Sequence, residues 1–195
     1  MNQSNFNEID SINYNLKFES INETINLDEI EFHNTDFIRN NLIDSKFNNC
    51  YFDNVVFDNC DLSNAYFIKT YFKKVKFKDC KMLGSNIIDC TLNNTLIMES
   101  NLKYINLAST NIENTKFFNS NIEYSTFNEV KFSKALFDNV VLDNMRCYNT
   151  YFKDIDLSNC SIININIDLK CLKGAIINTV QVLDLVNLLG VIVKE

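Results

Sequence analysis

The chain has 195 residues, 46% of them hydrophobic and 12% aromatic, with 25 Asp and Glu against 18 Lys and Arg for a formal charge of −7. That length and apolar fraction predict a single folded domain rather than a disordered chain, and the acidic balance argues against direct nucleic-acid binding. No apolar run reaches the roughly 20 residues that span a bilayer, and the polar start MNQSNFNEID lacks a secretory leader pattern, so a cytoplasmic location away from membranes is expected.

Residues 1–24 are expected to form an N-terminal cap, with Phe6, Ile9, Tyr14, Leu16 and Phe18 covering whatever follows. From Leu27 to Ile177 every fifth position is large and apolar, Cys147 being the exception. Two residues earlier stands a mostly small or β-branched residue, as in Thr35, Ser45, Cys50, Val55, Cys60 and Ala65. Neither a helix nor an ordinary strand keeps a period of five, and fixed-period self-similarity is the mark of a solenoid. Residues 25–179 therefore read as one repeat domain.

A second period sits on the first. Leu42, Leu62, Met82, Leu102, Ile122, Leu142 and Ile162, spaced by 20, form a column without phenylalanine. Side chains stacked at strand spacing choose similar neighbours, so four repeats should close one coil. The predicted fold is an all-β solenoid with four sides.

Such a chain must turn at every fifth residue, yet it has no proline and only three glycines. Asparagine takes the corner position in Asn49, Asn54, Asn59, Asn64, Asn94, Asn114, Asn119, Asn139, Asn144 and Asn149. Asn tolerates left-handed backbone angles and bonds local amides, which suits a corner.

The seven cysteines follow the same register. Cys50, Cys60, Cys80, Cys90 and Cys160 hold the small inward position and Cys147 the large one. No CxxC pair exists and His33 is the one histidine, so zinc spacing is missing; buried free thiols acting as small hydrophobes are expected. Cys60 and Cys80 fall on adjacent coils, within reach of a bridge under oxidation. Acidic pairs such as Asp154 and Asp156 lack a glycine-rich loop or a cleft. The chain is expected to be no enzyme and to need no metal or cofactor.

Charge is uneven. Residues 1–61 carry −9, residues 62–81 carry +5 through Lys69, Lys73, Lys74, Lys76, Lys78 and Lys81, and the remainder carries −3. Outward apolar candidates are Val56, Leu96 and Leu136 with Phe118 on one face, and Tyr104 above Tyr124 on another.

Residues 180–195 read as a helix capped by Thr179 and stopped by Gly190, followed by a short strand. Gln181, Asp184 and Asn187 make one polar stripe, expected to face water. The rest of the helix is too apolar for the end of one solenoid to cover. A two-fold partner is expected on Val182, Leu185, Val186, Leu189, Val191, Ile192 and Val193, a monomeric end cap being the alternative.

The small-x-Leu/Phe-x-x pattern resembles the pentapeptide repeat family. The resemblance covers about 31 repeats and implies a right-handed quadrilateral β-helix of about 7 to 8 coils and about 37 Å, with a short C-terminal helix. The tail, LeuLysGlyAlaIleIleAsn at 172–178 and a helix ending LeuLeuGly, resembles the dimerisation module of Qnr-type members. Those members protect DNA gyrase and topoisomerase IV from quinolones, and related ones inhibit gyrase as an acidic rod shaped like DNA. The resemblance implies a homodimeric DNA mimic that binds a type II topoisomerase, giving quinolone resistance or modulating supercoiling. Asp138, Asp143, Asp154, Asp156 and Asp168 are then the acidic residues expected to meet it. The alternative is a protein-interaction scaffold with no topoisomerase target.

Overall fold

The computed structural model describes residues 4–191. Its unit is a three-residue strand such as Tyr51–Asp53 or Val56–Asp58, whose middle residue is buried and whose outer two face away. Strands this short have no stability alone and depend on stacking. Each pairs in parallel with the strand one coil on, Phe52 opposite Phe72, Phe57 opposite Phe77 and Phe47 opposite Phe67. The result is a parallel four-sided β-solenoid of about eight coils. Three sides are sheets of seven, seven and eight strands.

The fourth side differs. Its coils meet through isolated bridges, Asn41 to Asp61 to Lys81 to Asn101, and each side closes as a tight turn in which the Ala65 N–H donates to the Leu62 carbonyl at 3.0 Å and Ile105 to Leu102 at 3.1 Å. This turn side carries the phenylalanine-free column, so the 20-residue superperiod records a different backbone on one side. Phe152 heads a similar turn in a late coil, with the Ile155 N–H donating to its carbonyl at 3.1 Å; phenylalanine is therefore not sterically barred there.

On the other sides the rings form ladders. Centroids are 5.0 Å apart from Phe18 to Phe37, 4.6 Å to Phe57 and 4.9 Å to Phe77, with planes within 13°. Rings of neighbouring sides meet edge to face, as Phe52 does Phe57 at 5.7 Å and 70°. Ile87, Leu92, Ile97 and Leu107 then interrupt the ladders. They line an apolar cavity of about 10 Å³, too small and too apolar to hold water.

At several coils the small position donates to the backbone, although Val55, Ala65 and Val75 cannot, and Thr95 Oγ1 and Ser125 Oγ are buried without a partner. Thr70 Oγ1 donates to the Phe47 carbonyl at 2.8 Å and Ser85 Oγ to that of Leu62 at 2.7 Å, each reaching back one coil. Cys60, Cys80 and Cys90 make the same bond through Sγ, at 3.2, 3.4 and 3.3 Å, to Phe37, Phe57 and Phe67. These three thiols are thus more than apolar filler: they stand in for hydroxyls. All seven are free and buried. Burial pushes Cys50 and Cys60 up to about 11 and Cys80 and Cys90 up to about 12 from an ordinary 9.0.

Corners are left-handed. Among the described residues 28 non-glycine residues have positive φ, and 13 of them are Asn, including all ten expected from the sequence. Asn54 donates to Asn34 and Asn139 to Asn119, both at 2.8 Å, so corner amides also form ladders.

The solenoid starts ahead of residue 25. Strands Ile12–Tyr14 and Lys17–Glu19 pair with Glu31–His33 and Asp36–Ile38, but at an offset of 19. Asn13 and Glu23 hold large positions and one residue is missing before Leu27, which hides the beat. Buried Asn13 is satisfied by the Asp10 carbonyl at 2.7 Å, the Glu31 carbonyl at 3.2 Å and the Asp10 N–H at 3.0 Å. Phe6 lies on Phe18 at 4.3 Å and closes the end, with Ile9 and Leu16 against the core. Tyr14 does not join them; it is exposed and stacks on His33 at 4.7 Å.

At the other end a short helix, α1 (Leu169–Leu172), precedes α2 (Thr179–Val186) and a 3-10 turn, Asn187–Leu189. The cap of α2 is Asn178 rather than Thr179: its Oδ1 accepts from the N–H of Val180 at 2.9 Å and of Gln181 at 3.0 Å. Gln181 overturns the expected wet stripe. It is 4% exposed, and its Nε2 donates to the carbonyls of Leu157 at 2.8 Å and Cys160 at 2.7 Å. A solenoid ends in unpaired carbonyls, which an apolar helix face could not satisfy. Gln181 therefore turns inward, while Val180 and Leu183 face outward. Gly190, at φ +68°, stops the helix as expected.

Phe57→Ala should lower the unfolding free energy by about 3–5 kcal/mol in denaturant melts, since it opens a hole inside a ladder. Gln181→Leu should cost about 1–3 kcal/mol for the carbonyls it orphans. Thiols that ionise near pH 9 in the unfolded chain but only near 11–12 in the folded one stabilise the fold fully below pH 9 and less as pH rises through 12. Replacing Cys60 and Cys80 by Thr keeps both donors and should reduce that alkaline loss in melts run from pH 8 to 12.

Candidate functional site

Among the described residues the interior is filled by side chains, and at outward positions charges are paired from coil to coil. Lys73 Nζ sits 2.9 Å from Asp53, Lys81 3.7 Å from Asp61, and Lys78 lies 3.8 Å from Asp58 and 3.2 Å from Asp79. Asp53 and then Tyr51 hold the Lys73 ammonium above its ordinary pKa by bonding it. Three of the six belt lysines, Lys73, Lys78 and Lys81, are thus matched to the acidic coil beside them, as Arg39 is to Glu19 and Lys103 to Glu123. Each exposed pair adds little stability, but together they remove free charge from both signs.

The five acidic candidates are spread over several sides. Asp138, exposed, accepts from the Asn159 amide. Asp143 lies on the turn side and accepts from Ser161 Oγ at 2.6 Å and the Ile163 N–H at 2.8 Å. Asp154 is an exposed corner at φ +63°. Asp156 is held below its ordinary pKa by the Ser158 hydroxyl and then the Ser158 N–H, at 2.9 Å. Asp168 caps α1, accepting from the Lys170 N–H at 3.0 Å, with Lys170 Nζ also at 3.0 Å.

Exposed rings form two ladders. Tyr104 and Tyr124 stack at 5.3 Å, as their register requires. A longer one was hidden by the shifted first coil: Tyr14 on His33, His33 tilted against Tyr51 at 5.6 Å, and Tyr51 on Tyr71 at 5.6 Å. His33 Nε2 also meets Glu31 Oε2 at 3.0 Å. Val56, Leu96 and Leu136 do lie in one column, separated by Lys76 and Lys116, with Met98 beside Phe118.

The largest apolar exposure is on the C-terminal helix. Val180 is 72% and Leu183 67% exposed, and Val182, Leu189 and Val191 are exposed with them. Leu185 and Leu188 pack on the core instead, and Val186 is half-buried. Ile192 and Val193 lie outside the described residues. The expected interface list omitted Val180 and Leu183, because a helical wheel cannot tell which side a solenoid end will claim.

Among the described residues no group of His, Cys, Asp and Glu could hold a metal ion, and no helix is long and apolar enough to cross a membrane.

The sequence matches the family model described as pentapeptide repeat region over residues 30–107 and 70–147, together more than half of the chain. No curated protein matches it. Among solved structures it is similar to trypsin-treated QnrB1, a plasmid-mediated fluoroquinolone resistance protein, at 14% identity over 90% of this chain and 99% of that one, with a TM-score of 0.44. It is similar to HetL of the cyanobacterium Nostoc sp. strain PCC 7120, involved in heterocyst differentiation regulation, at 11% identity over 89% and 87%, with a TM-score of 0.36. A pentapeptide repeat protein of the Arabidopsis thaliana thylakoid lumen shares 19% identity over 57% and 64%, with a TM-score of 0.30. The family match and the five-residue solenoid agree: the chain belongs to the pentapeptide repeat family.

Proposed function

We propose that this chain is a non-enzymatic interaction rod that pairs with a second copy through residues 180–195 and, as a dimer, binds a type II topoisomerase, DNA gyrase or topoisomerase IV, as a DNA mimic. The phenotype would be altered supercoiling or quinolone resistance. The observation that carries the pairing is the outward apolar face of α2, led by Val180 and Leu183. An apolar face at the end of a rod suits a self-complementary two-fold contact. Val182, Leu189 and Val191 extend it, Val186 and Leu185 back it, and Ile192 and Val193 would continue it. The topoisomerase target is supported by the resemblance of the tail to the Qnr-type module and by the acidic rod.

Charge favours a second reading, a scaffold without a topoisomerase target. Net −7 over about 37 Å is a third of the roughly 22 phosphate charges on that length of duplex. Moreover Asp53, Asp58 and Asp61 are engaged by lysines.

Leu183→Asp should halve the mass seen by light scattering while leaving the fold intact; an unchanged mass removes the pairing. In a gyrase supercoiling assay at micromolar protein, inhibition or rescue from a quinolone is expected. No inhibition, no rescue and no binding would leave the scaffold reading standing.

A further inference from the structure

From Tyr51 to Leu136 the backbone ladder keeps one rule: the first N–H of a side donates to the carbonyl 21 residues earlier, and the corner N–H, through Glu129, to the carbonyl 19 residues later. Lys131 thus donates to Thr110 at 3.0 Å and Leu136 to Thr115 at 2.9 Å, while Asn114 donates to Ser133 at 2.8 Å and Asn119 to Asp138 at 3.0 Å. One coil further the rule fails on two adjacent sides. The N–H groups of Tyr151 and Asp156 do not bond the carbonyls of Val130 and Ala135, nor do those of Lys134 and Asn139 bond Lys153 and Ser158. The two seven-stranded sheets accordingly end at Lys131–Ser133 and Leu136–Asp138.

The other two sides of the same step stay closed. On the turn side Ser161 donates to Val140 at 3.0 Å and Leu142 to Ser161 at 2.8 Å, and strand Arg146–Tyr148 remains paired with Thr126–Asn128. Beyond the seam the last coil is tied to the C-terminal cap: Phe152 donates to Cys171 at 2.8 Å, Asp154 to Gly174 at 2.9 Å and Leu157 to Ile176 at 2.8 Å. Side chains follow the backbone. Phe132 is the one every-fifth residue from Leu27 to Ile167 that is only half-buried, and its ring tilts 49° from that of Phe152, where the rings of Phe18, Phe37, Phe57 and Phe77 stay within 13°. Cys60 reaches back to the Phe37 carbonyl, but Cys160, in the same position over Phe137, turns its Sγ to Asn159 Oδ1 at 3.8 Å. Lys134 and Asp154, opposite charges on consecutive corners, form no ion pair among the described residues, unlike Lys73 and Asp53. The Asn159 amide still crosses to the Asp138 carboxylate at the far corner.

We propose that residues 151–191 form a flap that opens at this seam, hinged on the turn side and on strand Arg146–Tyr148, so that the outward face of α2 tilts relative to the rod. Opening there breaks no ladder bond on the two unbonded sides, whereas parting neighbouring coils between Tyr51 and Leu136 breaks bonds on all four. The contact of Phe132 with Phe152 and the bond from Asn159 hold the closed form. The hinge is independent of whether a second copy covers α2.

Two measurements on the full chain test the hinge. In native-state hydrogen exchange followed by NMR, the N–H groups of Lys134, Asn139, Tyr151 and Asp156 should exchange about a hundredfold or more faster than those of Lys131 and Leu136, bonded on one side of the seam, and of Phe152 and Leu157, bonded on the other. Spin labels read the tilt. One pair, Tyr71→Cys with Tyr151→Cys, spans the seam, and another, Tyr51→Cys with Lys131→Cys, does not; each covers four coil spacings, about 19 Å, and the native thiols are buried away from the label. The spanning pair should show a wider distance distribution with a longer mean. Identical distributions, or slow exchange at the four seam amides, would overturn the proposal. So would exchange of Phe152 and Leu157 as fast as the seam, which means that the end unravels instead of swinging as one piece.

Discussion

The structure depends on one constraint, the parallel hydrogen-bond ladder that, beyond a first coil offset by 19, sets residues over those 20 positions away. The Tyr71 N–H donates to the Cys50 carbonyl and Lys74 to Asn93, and this repeats along the rod. Side chains are thereby sorted into columns, and each column must suit its own repetition. Phenylalanine stacks on phenylalanine, small donors reach the coil before them, and lysines meet the aspartates of the neighbouring coil. The same ladder forces a corner at every fifth residue, which is why left-handed Asn is so frequent. It also fills the axis with side chains, leaving among the described residues an interior with only the small apolar cavity beside Ile87.

A ladder has two ends, and polar side chains decide how each is closed. At the start, Asn13 replaces an expected large residue and satisfies backbone groups while Phe6 covers the ring beneath it. At the finish, Gln181 donates to two terminal carbonyls. With Gln181 turned to the solenoid and Leu185 and Leu188 packed on the core beside it, Val180, Val182, Leu183 and Leu189 are left facing out. The exposed face of α2 is therefore a consequence of closing the backbone, and pairing with a second copy is one way to cover it.

Architecture was legible in the sequence because a period of five, repeated through Ile177, constrains every inward position at once. The corners were legible too, since Asn has a backbone reason to be there. What escaped notice lay where a single residue breaks the count. The missing residue between Glu23 and Leu27 concealed the first coil, and with it the pairing of Tyr14 with His33. Gln181 reads as exposed from sequence because helical spacing defines a stripe but not the side that meets carbonyls. The donor role of the thiols at Cys60, Cys80 and Cys90 appears only when the coil before them is in place. The acidic candidates carry no periodic signal, and the structure disperses them over several sides.

The ladder account is tested most directly by comparing two deletions in denaturant melts. Removing residues 86–105 takes out one whole coil and rejoins Ser85 to Asn106 in register; removing residues 86–90 takes out one side and rotates every later column by a quarter turn. If the 20-residue register governs the fold, the whole-coil deletion stays cooperative and close to the parent in stability. The one-side deletion, which places the phenylalanine-free column under a sheet and separates the ion pairs, is then much less stable. Equal stability of the two would contradict the account, leaving the five-residue beat alone to specify the rod.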